Sequence, residues 1–142
     1  MPANNSPIYS RLADIQWVTK VSTANNTSDI TTGTTYTVFT ADATNGGYVS
    51  RIVVKADPAN STAATVFRFW INNGSAVGTA SNSALMGELG LPATTTSATA
   101  PLPDFVFPVN SAIPAGYKII ATIGTAPGAN AAFTVTCFGG KY

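Results

Sequence analysis

The stretch GYVSRIVVKADPANSTAATVFRFWIN, residues 47–72, decides the fold that the sequence predicts. It holds two apolar segments with alternating polar residues, which indicates two β-strands on either side of the loop DPANST (57–62). A symmetric hairpin across this loop would set Arg51 directly opposite Arg68, and like charges in that position destabilise a strand pair. We therefore expect the two strands to lie in different sheets, as in a jelly roll or another Greek key. A β-bulge that separates the two arginines is the alternative.

Six further segments show the same alternation, with turn-forming Asn, Gly, Pro, Asp and Ser residues between them. The chain is therefore predicted to be all-β, an eight-stranded jelly-roll or Greek-key β-sandwich. The predicted strands are 15–21, 35–40, 47–56, 63–72, 83–89, 104–109, 117–123 and 131–138. Residues 15–142 are expected to form this single domain, and residues 1–14 a short N-terminal arm.

Charged residues predict which face of each strand points outward, because the apolar residues of opposite parity then form the core. The inward residues predicted in this way are Ile15, Trp17 and Val21; Tyr48, Ile52 and Val54; Thr65, Phe67, Phe69 and Ile71; Tyr117, Ile119, Ala121 and Ile123; and Phe133, Val135 and Cys137.

The predicted outward faces are half apolar, which favours contact with another chain. A subunit interface is predicted at Val49, Arg51, Val53, Val66, Arg68 and Trp70. The competing interpretation is that the sheets curl and cover some of these positions themselves. Trp17 is predicted to lie in the core. Trp70 is predicted to lie at the interface, with a sugar-stacking platform as the second interpretation for either tryptophan.

Composition excludes several classes of function. Only 9% of the 142 residues are charged, against about 25% in ordinary soluble domains, and such scarcity of charge indicates an oligomer. The seven Lys and Arg residues are scattered, so nucleic-acid binding is not expected. No window approaches the roughly 18 apolar residues of a membrane span, and the first residues do not resemble a signal peptide. We expect a protein that stays in the cytoplasm where it is made.

The sequence offers little chemistry for catalysis. It has no histidine and one cysteine, which excludes Ser-His-Asp and zinc-histidine sites as well as a thiolate metal cluster within one chain. The six acidic residues are well spaced in sequence and sit mostly where aspartate caps turns. A carboxylate pair assembled in space is the remaining enzyme hypothesis. We expect no enzyme activity, no cofactor and no metal.

Four blocks of the chain resemble a known family. They are residues 23–52, 65–75 (TVFRFWINNGS), 89–125 and the terminal GGKY. Together they are similar to small jelly-roll capsid decoration, or cement, proteins of tailed bacteriophages, over nearly the whole chain from Ile8 to Tyr142. The shared motifs are turn and strand blocks without a catalytic signature.

The resemblance implies a homotrimer bound to the outside of an icosahedral phage head, where it locks neighbouring major capsid proteins together. Its location would be the virion surface, after assembly in the host cytoplasm. The N-terminal arm is predicted to reach a neighbouring subunit or the capsid through Ile8, Tyr9, Arg11 and Leu12, because apolar residues are costly to expose; a frayed terminus is the alternative. The alternative function is a carbohydrate- or host-binding module of a head fibre or tail, with a surface glycan as partner.

Overall fold

Eight β-strands build the protein, and the computed structural model describes residues 11–25 and 29–142. The strands are β1 (Leu12–Val21), β2 (Tyr36–Thr40), β3 (Gly47–Ala56), β4 (Thr65–Asn72), β5 (Ser83–Leu91), β6 (Phe105–Ile113), β7 (Lys118–Ile123) and β8 (Phe133–Lys141). The predicted all-β class is confirmed, and predicted and observed strands differ only at their ends. β1 begins three residues earlier than predicted. In the described part of the chain, no helix is long and apolar enough to cross a membrane.

Two four-stranded antiparallel sheets pack face to face, with strand orders β1-β8-β3-β6 and β2-β7-β4-β5. The first strand pairs with the last, the second with the seventh, the third with the sixth and the fourth with the fifth. This nested pairing builds a β-sandwich, and its order is consistent with the predicted jelly roll. β3 and β4 lie in different sheets, as the repulsion between Arg51 and Arg68 predicted. Arg68 instead lies opposite Glu88 on β5, and its Nε donates to Glu88 Oε1 at 2.7 Å.

One apolar core fills the space between the sheets. Phe67 and Phe69 of β4 and Phe133 of β8 are fully buried, and the ring of Phe67 meets that of Phe133 edge-on with centroids 5.3 Å apart. Burial of each such side chain contributes about 1.5–3 kcal/mol. The inward faces predicted for the fourth, seventh and eighth strands are confirmed. Their core residues are Thr65, Phe67, Phe69, Ile119, Ala121, Ile123, Phe133, Val135 and Cys137, with Ile71 and Tyr117 partly buried against them.

Cys137 is a core residue of β8 with no exposed surface. Burial raises the pKa of its thiol to about 12, and the negative charge of Asp14 adds to the effect. The thiol therefore stays protonated at neutral pH, which makes it a poor nucleophile.

A β-bulge in β3 overturns part of the predicted alternation. Val49 pairs with Gly139 and Arg51 with Phe138, so Ser50 is an extra residue between two consecutive positions of β8. Its hydroxyl donates to the carbonyl oxygen of Phe138 at 3.1 Å. Because one extra residue reverses the parity, Val49 points into the core at 0% exposure. The predictions that Val49 faces outward and Tyr48 inward are therefore wrong.

A second bulge changes β1 in the same way. Val18 pairs with Val135 and Val21 with Phe133, so β1 has one more residue than β8 in this interval. Lys20 occupies it with a φ of 57°, in the left-handed region. Val21 is buried as predicted, but the parity of the preceding residues is reversed. Ile15 and Trp17 were predicted to lie in the core and are instead 49% and 65% exposed.

One side chain joins β1, an edge strand of the first sheet, to β2, an edge strand of the second sheet. Gln16 of β1 donates from Nε2 to the carbonyl oxygen of Thr40 on β2 at 2.9 Å. Its Oε1 accepts a hydrogen bond from the Thr40 amide, also at 2.9 Å. The amide of Gln16 thus pairs with both backbone groups of Thr40, as a neighbouring strand would, and closes this side of the sandwich.

We expect Gly139→Ala to destabilise the fold by about 1–3 kcal/mol, because a Cβ there would collide with the backbone carbonyl of Tyr48 beside the bulge. Gly90→Ala on β5 is the matched control, since a Cβ at Gly90 meets no atom within 4 Å. Its effect should stay within about 1 kcal/mol. Urea unfolding midpoints compare the two variants. Equal midpoints would show that the bulge tolerates a side chain.

Candidate interaction surface

The outer surface of the β1-β8-β3-β6 sheet carries two cross-strand rows of side chains. The register places Ile15, Phe138, Arg51 and Pro108 side by side in one row, and Trp17, Thr136, Val53 and Val106 in the next. We call these eight residues the open face. Neighbouring strands lie about 4.8 Å apart, so each row crosses the whole four-stranded sheet over roughly 14 Å.

Exposed apolar side chains concentrate on the two edge strands of this sheet. Among the described residues, five large apolar side chains are strongly exposed, and four of them belong to β1 or β6. They are Leu12, Ile15, Trp17 and Val106; the fifth, Leu85, lies on β5 of the other sheet. Trp17 is the largest and 65% exposed. Scattered apolar residues are normal on protein surfaces, but a contiguous set on one sheet marks an interaction site.

Arg51 lies within the open face and packs on an aromatic ring. Its guanidinium carbon is 4.5 Å from the centroid of the Phe138 ring, on the neighbouring strand. Such stacking is a cation–π contact, worth roughly 0.5–1 kcal/mol at an exposed site. Within residues 11–25 and 29–142, no carboxylate forms an ion pair with Arg51.

A groove of about 650 Å³ adjoins the open face and shares Val53, Thr136 and Phe138 with it. Two ion pairs also line this groove. Lys20 Nζ lies 2.7 Å from Asp57 Oδ2, and Lys55 Nζ lies 2.7 Å from Asp104 Oδ1. Three threonines, Thr19, Thr134 and Thr136, line it as well. The groove therefore combines an apolar floor with polar groups, the usual composition of a binding site.

Part of the outer surface of the other sheet is covered by the chain itself. Ile120 and Thr122 have outward parity on β7 and yet are fully buried. In the connection from β1 to β2, Asn25 and Ile30 are buried as well, and the amide of Asn25 donates to the Ile123 carbonyl at 2.7 Å. We infer that this connection lies across the sheet. Trp70 is half-buried on this side, and its indole Nε1 donates to Thr122 Oγ1 at 3.2 Å.

The six residues predicted to form one interface thus fall in three places. Arg51 and Val53 belong to the open face, and Val49 lies in the core. Val66, Arg68 and Trp70 lie on the opposite, covered side of the sandwich. Of the predicted arm residues, Ile8 and Tyr9 lie outside the described residues. Arg11 directly precedes β1 and its amide donates to the Lys141 carbonyl at 2.6 Å, while Leu12 is the first residue of the strand.

Sequence reasoning missed Ile15, Trp17, Val106 and Phe138 as surface residues. The bulges explain the first two, because parity cannot be carried across an extra residue. The sequence of β3 does contain one sign of its bulge. The predicted alternation would have placed the polar side chain of Ser50 in the core, between Tyr48 and Ile52.

Each acidic residue is engaged with neighbouring groups of the chain. Asp57, Asp104 and Glu88 form ion pairs with Lys20, Lys55 and Arg68. Asp29 and Asp42 accept hydrogen bonds from backbone amides two and three residues further along the chain, and Asp14 accepts one from the side-chain amide of Gln16. The amides of Asn45 and Thr44 lower the pKa of Asp42. Over the described ranges, no three His, Cys, Asp or Glu residues are grouped so as to hold a metal ion.

Comparison with protein-family models and with curated proteins finds no match to this chain.

We expect the fold to lose stability in acid partly through Asp57. The hydrogen bond from Lys20, with the Ala59 amide next, lowers the pKa of Asp57. Because the folded-state pKa is depressed, this stabilisation is present above the unfolded-state pKa and is lost as pH falls through the folded-state value, below about pH 4. Asp57→Asn should flatten the fall in melting temperature between about pH 5 and pH 2.

Lys20→Gln should flatten the same profile, because it removes the cation that holds Asp57 ionised. Lys118→Gln is the control, since its ammonium pairs with no carboxylate in the described ranges. Parallel profiles for Asp57→Asn and the wild type would contradict the assignment.

Proposed function

We propose that the protein is a structural component of a bacteriophage virion. In this proposal it decorates the outside of the head as a homotrimer and stabilises the shell by binding neighbouring capsid subunits. The observation that carries the proposal is the open face, an apolar surface four strands wide with Trp17 65% exposed on it. Part of the opposite side of the sandwich, around Ile120 and Thr122, is covered by the chain itself, so the two surfaces differ in how much apolar area they leave exposed.

The amino-acid composition also supports a role in assembly. Burial of charges in an interface carries a desolvation cost, and this chain has charges on only 9% of its residues. The charges beside the open face are mostly paired within the chain, Lys20 with Asp57 and Lys55 with Asp104. The eight-stranded jelly roll is a common fold of viral capsid proteins, which is an analogy at the level of fold.

A carbohydrate-binding role is the second candidate, and the exposure of Trp17 favours it. An exposed indole beside a groove lined by hydroxyl groups and ion pairs has the composition of a sugar platform. Of the two tryptophans, Trp17 supports this role better, because it is 65% exposed, whereas Trp70 is half-buried and its indole nitrogen donates to Thr122. A glycan array with Trp17→Ala as the control separates this candidate from the first.

We expect Trp17→Asp to weaken self-association or shell binding by roughly 30-fold, the effect of losing a hot spot worth about 2 kcal/mol. The free energy of unfolding of Trp17→Asp should differ from that of the wild type by less than about 0.5 kcal/mol, because the side chain is exposed. Leu85→Asp is the matched control, since it places the same charge at an exposed apolar residue of an edge strand in the other sheet.

Sedimentation equilibrium gives the mass, and co-sedimentation with phage heads assembled without the protein gives shell binding. A wild-type protein that is monomeric at micromolar concentration and does not bind the heads would sink the proposal. Loss of binding in Leu85→Asp with retention in Trp17→Asp would move the interface to the other sheet.

The predicted arm is tested by removing residues 1–10. This deletion stops short of Leu12, so it leaves the whole of β1 and its pairing with β8 in place. We expect the truncated chain to melt close to the wild-type temperature and to bind subunits or heads more weakly, because Ile8 and Tyr9 are removed. Full retention of both kinds of binding would show that the arm has no part in assembly.

A further inference from the structure

Arg51 is the cation on the open face that lacks an acid of its own. The neighbouring cations on this side of the sheet, Lys20 and Lys55, each lie 2.7 Å from a carboxylate oxygen. Arg51 is exposed, stacks on Phe138, and pairs with no carboxylate among the described residues. It lies in the first row of the open face, between Phe138 and Pro108, where an approaching surface would remove it from water.

The ring beneath Arg51 prepares it to bind an anion. A guanidinium presents its N–H donors in one plane, in a fork that matches the two oxygens of a carboxylate. Stacking on Phe138 restricts the side chain before a partner arrives, so less conformational entropy is lost on binding. An apolar surface that covered Arg51 without supplying an acceptor would leave a buried unpaired charge, which is costly.

A second copy of the chain is a poor source of that carboxylate. Three of its six acidic side chains are held in ion pairs, and the other three accept hydrogen bonds from neighbouring amide groups of the chain. Pairing one of the first three with Arg51 of another copy would strip Lys20, Lys55 or Arg68 of its partner. Half of the chain's carboxylates are thus already committed to its own cations, which favours a different protein over a second copy on this face.

We propose that the open face binds a different protein through an aspartate or glutamate of that protein, which pairs with Arg51. The same partner covers Ile15, Trp17 and Val53 with apolar side chains. This inference rests on the proposed function and narrows it, because it assigns the open face to the shell and the contacts between copies of the chain to other surfaces.

The test uses a displayed library of random 12-residue peptides selected on the immobilised full-length protein. We expect enrichment of peptides in which Asp or Glu stands beside large apolar residues. The best peptide should bind Arg51→Gln about tenfold more weakly, equivalent to about 1.4 kcal/mol. Arg51→Lys, which keeps the charge but loses the planar fork, should recover only part of this affinity.

Lys55→Gln is the matched control, because it removes a cation from the same strand and the same side of the sheet, but one already paired with Asp104. It should bind the peptide like the wild type. Melting curves check that each variant folds, and sedimentation of Arg51→Gln should give the wild-type mass.

Three kinds of result would overturn the inference. The first is failure of the peptide test, either because the selection enriches no acidic peptides or because the best peptide binds Arg51→Gln and the wild type equally well. The second is a lower mass for Arg51→Gln, which would make a second copy the occupant. The third is Arg51-dependent binding of an acidic oligosaccharide in place of the peptides. Failure of the proposed function is distinct, since it would appear as a wild-type protein that neither self-associates nor binds heads, whatever the peptides do.

Discussion

The contact between the bulge of β3 and Gly139 of β8 is the constraint on which the surface of this protein depends. Ser50 adds one residue to β3, and the missing side chain of Gly139 lets the backbone of Tyr48 come close. From that point the parity of β3 is reversed. Val49 enters the core before the bulge, and Arg51 and Val53 come out on the open face after it. Without the extra residue, the apolar set of one half of the strand would face solvent.

The rest of the chain covers the outer surfaces of the two sheets to different extents. The connection between β1 and β2 and the pair of Trp70 with Thr122 cover the part of one sheet around β7, whereas Leu85 on its edge strand β5 stays exposed. The other sheet keeps its rows of apolar residues uncovered. The uncovered sheet is therefore the surface that the proposed assembly would use.

The all-β class, the eight strands and the placement of β3 and β4 in different sheets could be predicted from the sequence. They depend on the local alternation of polar and apolar residues and on the repulsion between Arg51 and Arg68. Phe67, Ile119 and Val135 were placed correctly, since the bulges beside them add residues to the partner strands and leave the parity of β4, β7 and β8 uninterrupted. The surface was predicted less well. Trp17 was assigned to the core because Lys20 served as the reference for direction, and Lys20 itself sits in the bulge. A bulge depends on the fit between two strands distant in sequence, so one strand alone does not reveal it.

The edges of the β1-β8-β3-β6 sheet limit how copies of the protein can join. β1 carries the bulge at Lys20, and β6 carries Pro108, which has no amide to donate, together with Asn110 at a φ of 46°. On the neighbouring edge, Gln16 already occupies the amide and carbonyl of Thr40. Sheets whose borders are interrupted in this way resist the edge-to-edge strand addition that builds amyloid fibres. The interrupted borders therefore make this sheet poorly suited to fibre growth even when many copies are close together, and they leave its outer surface as the part open to contact.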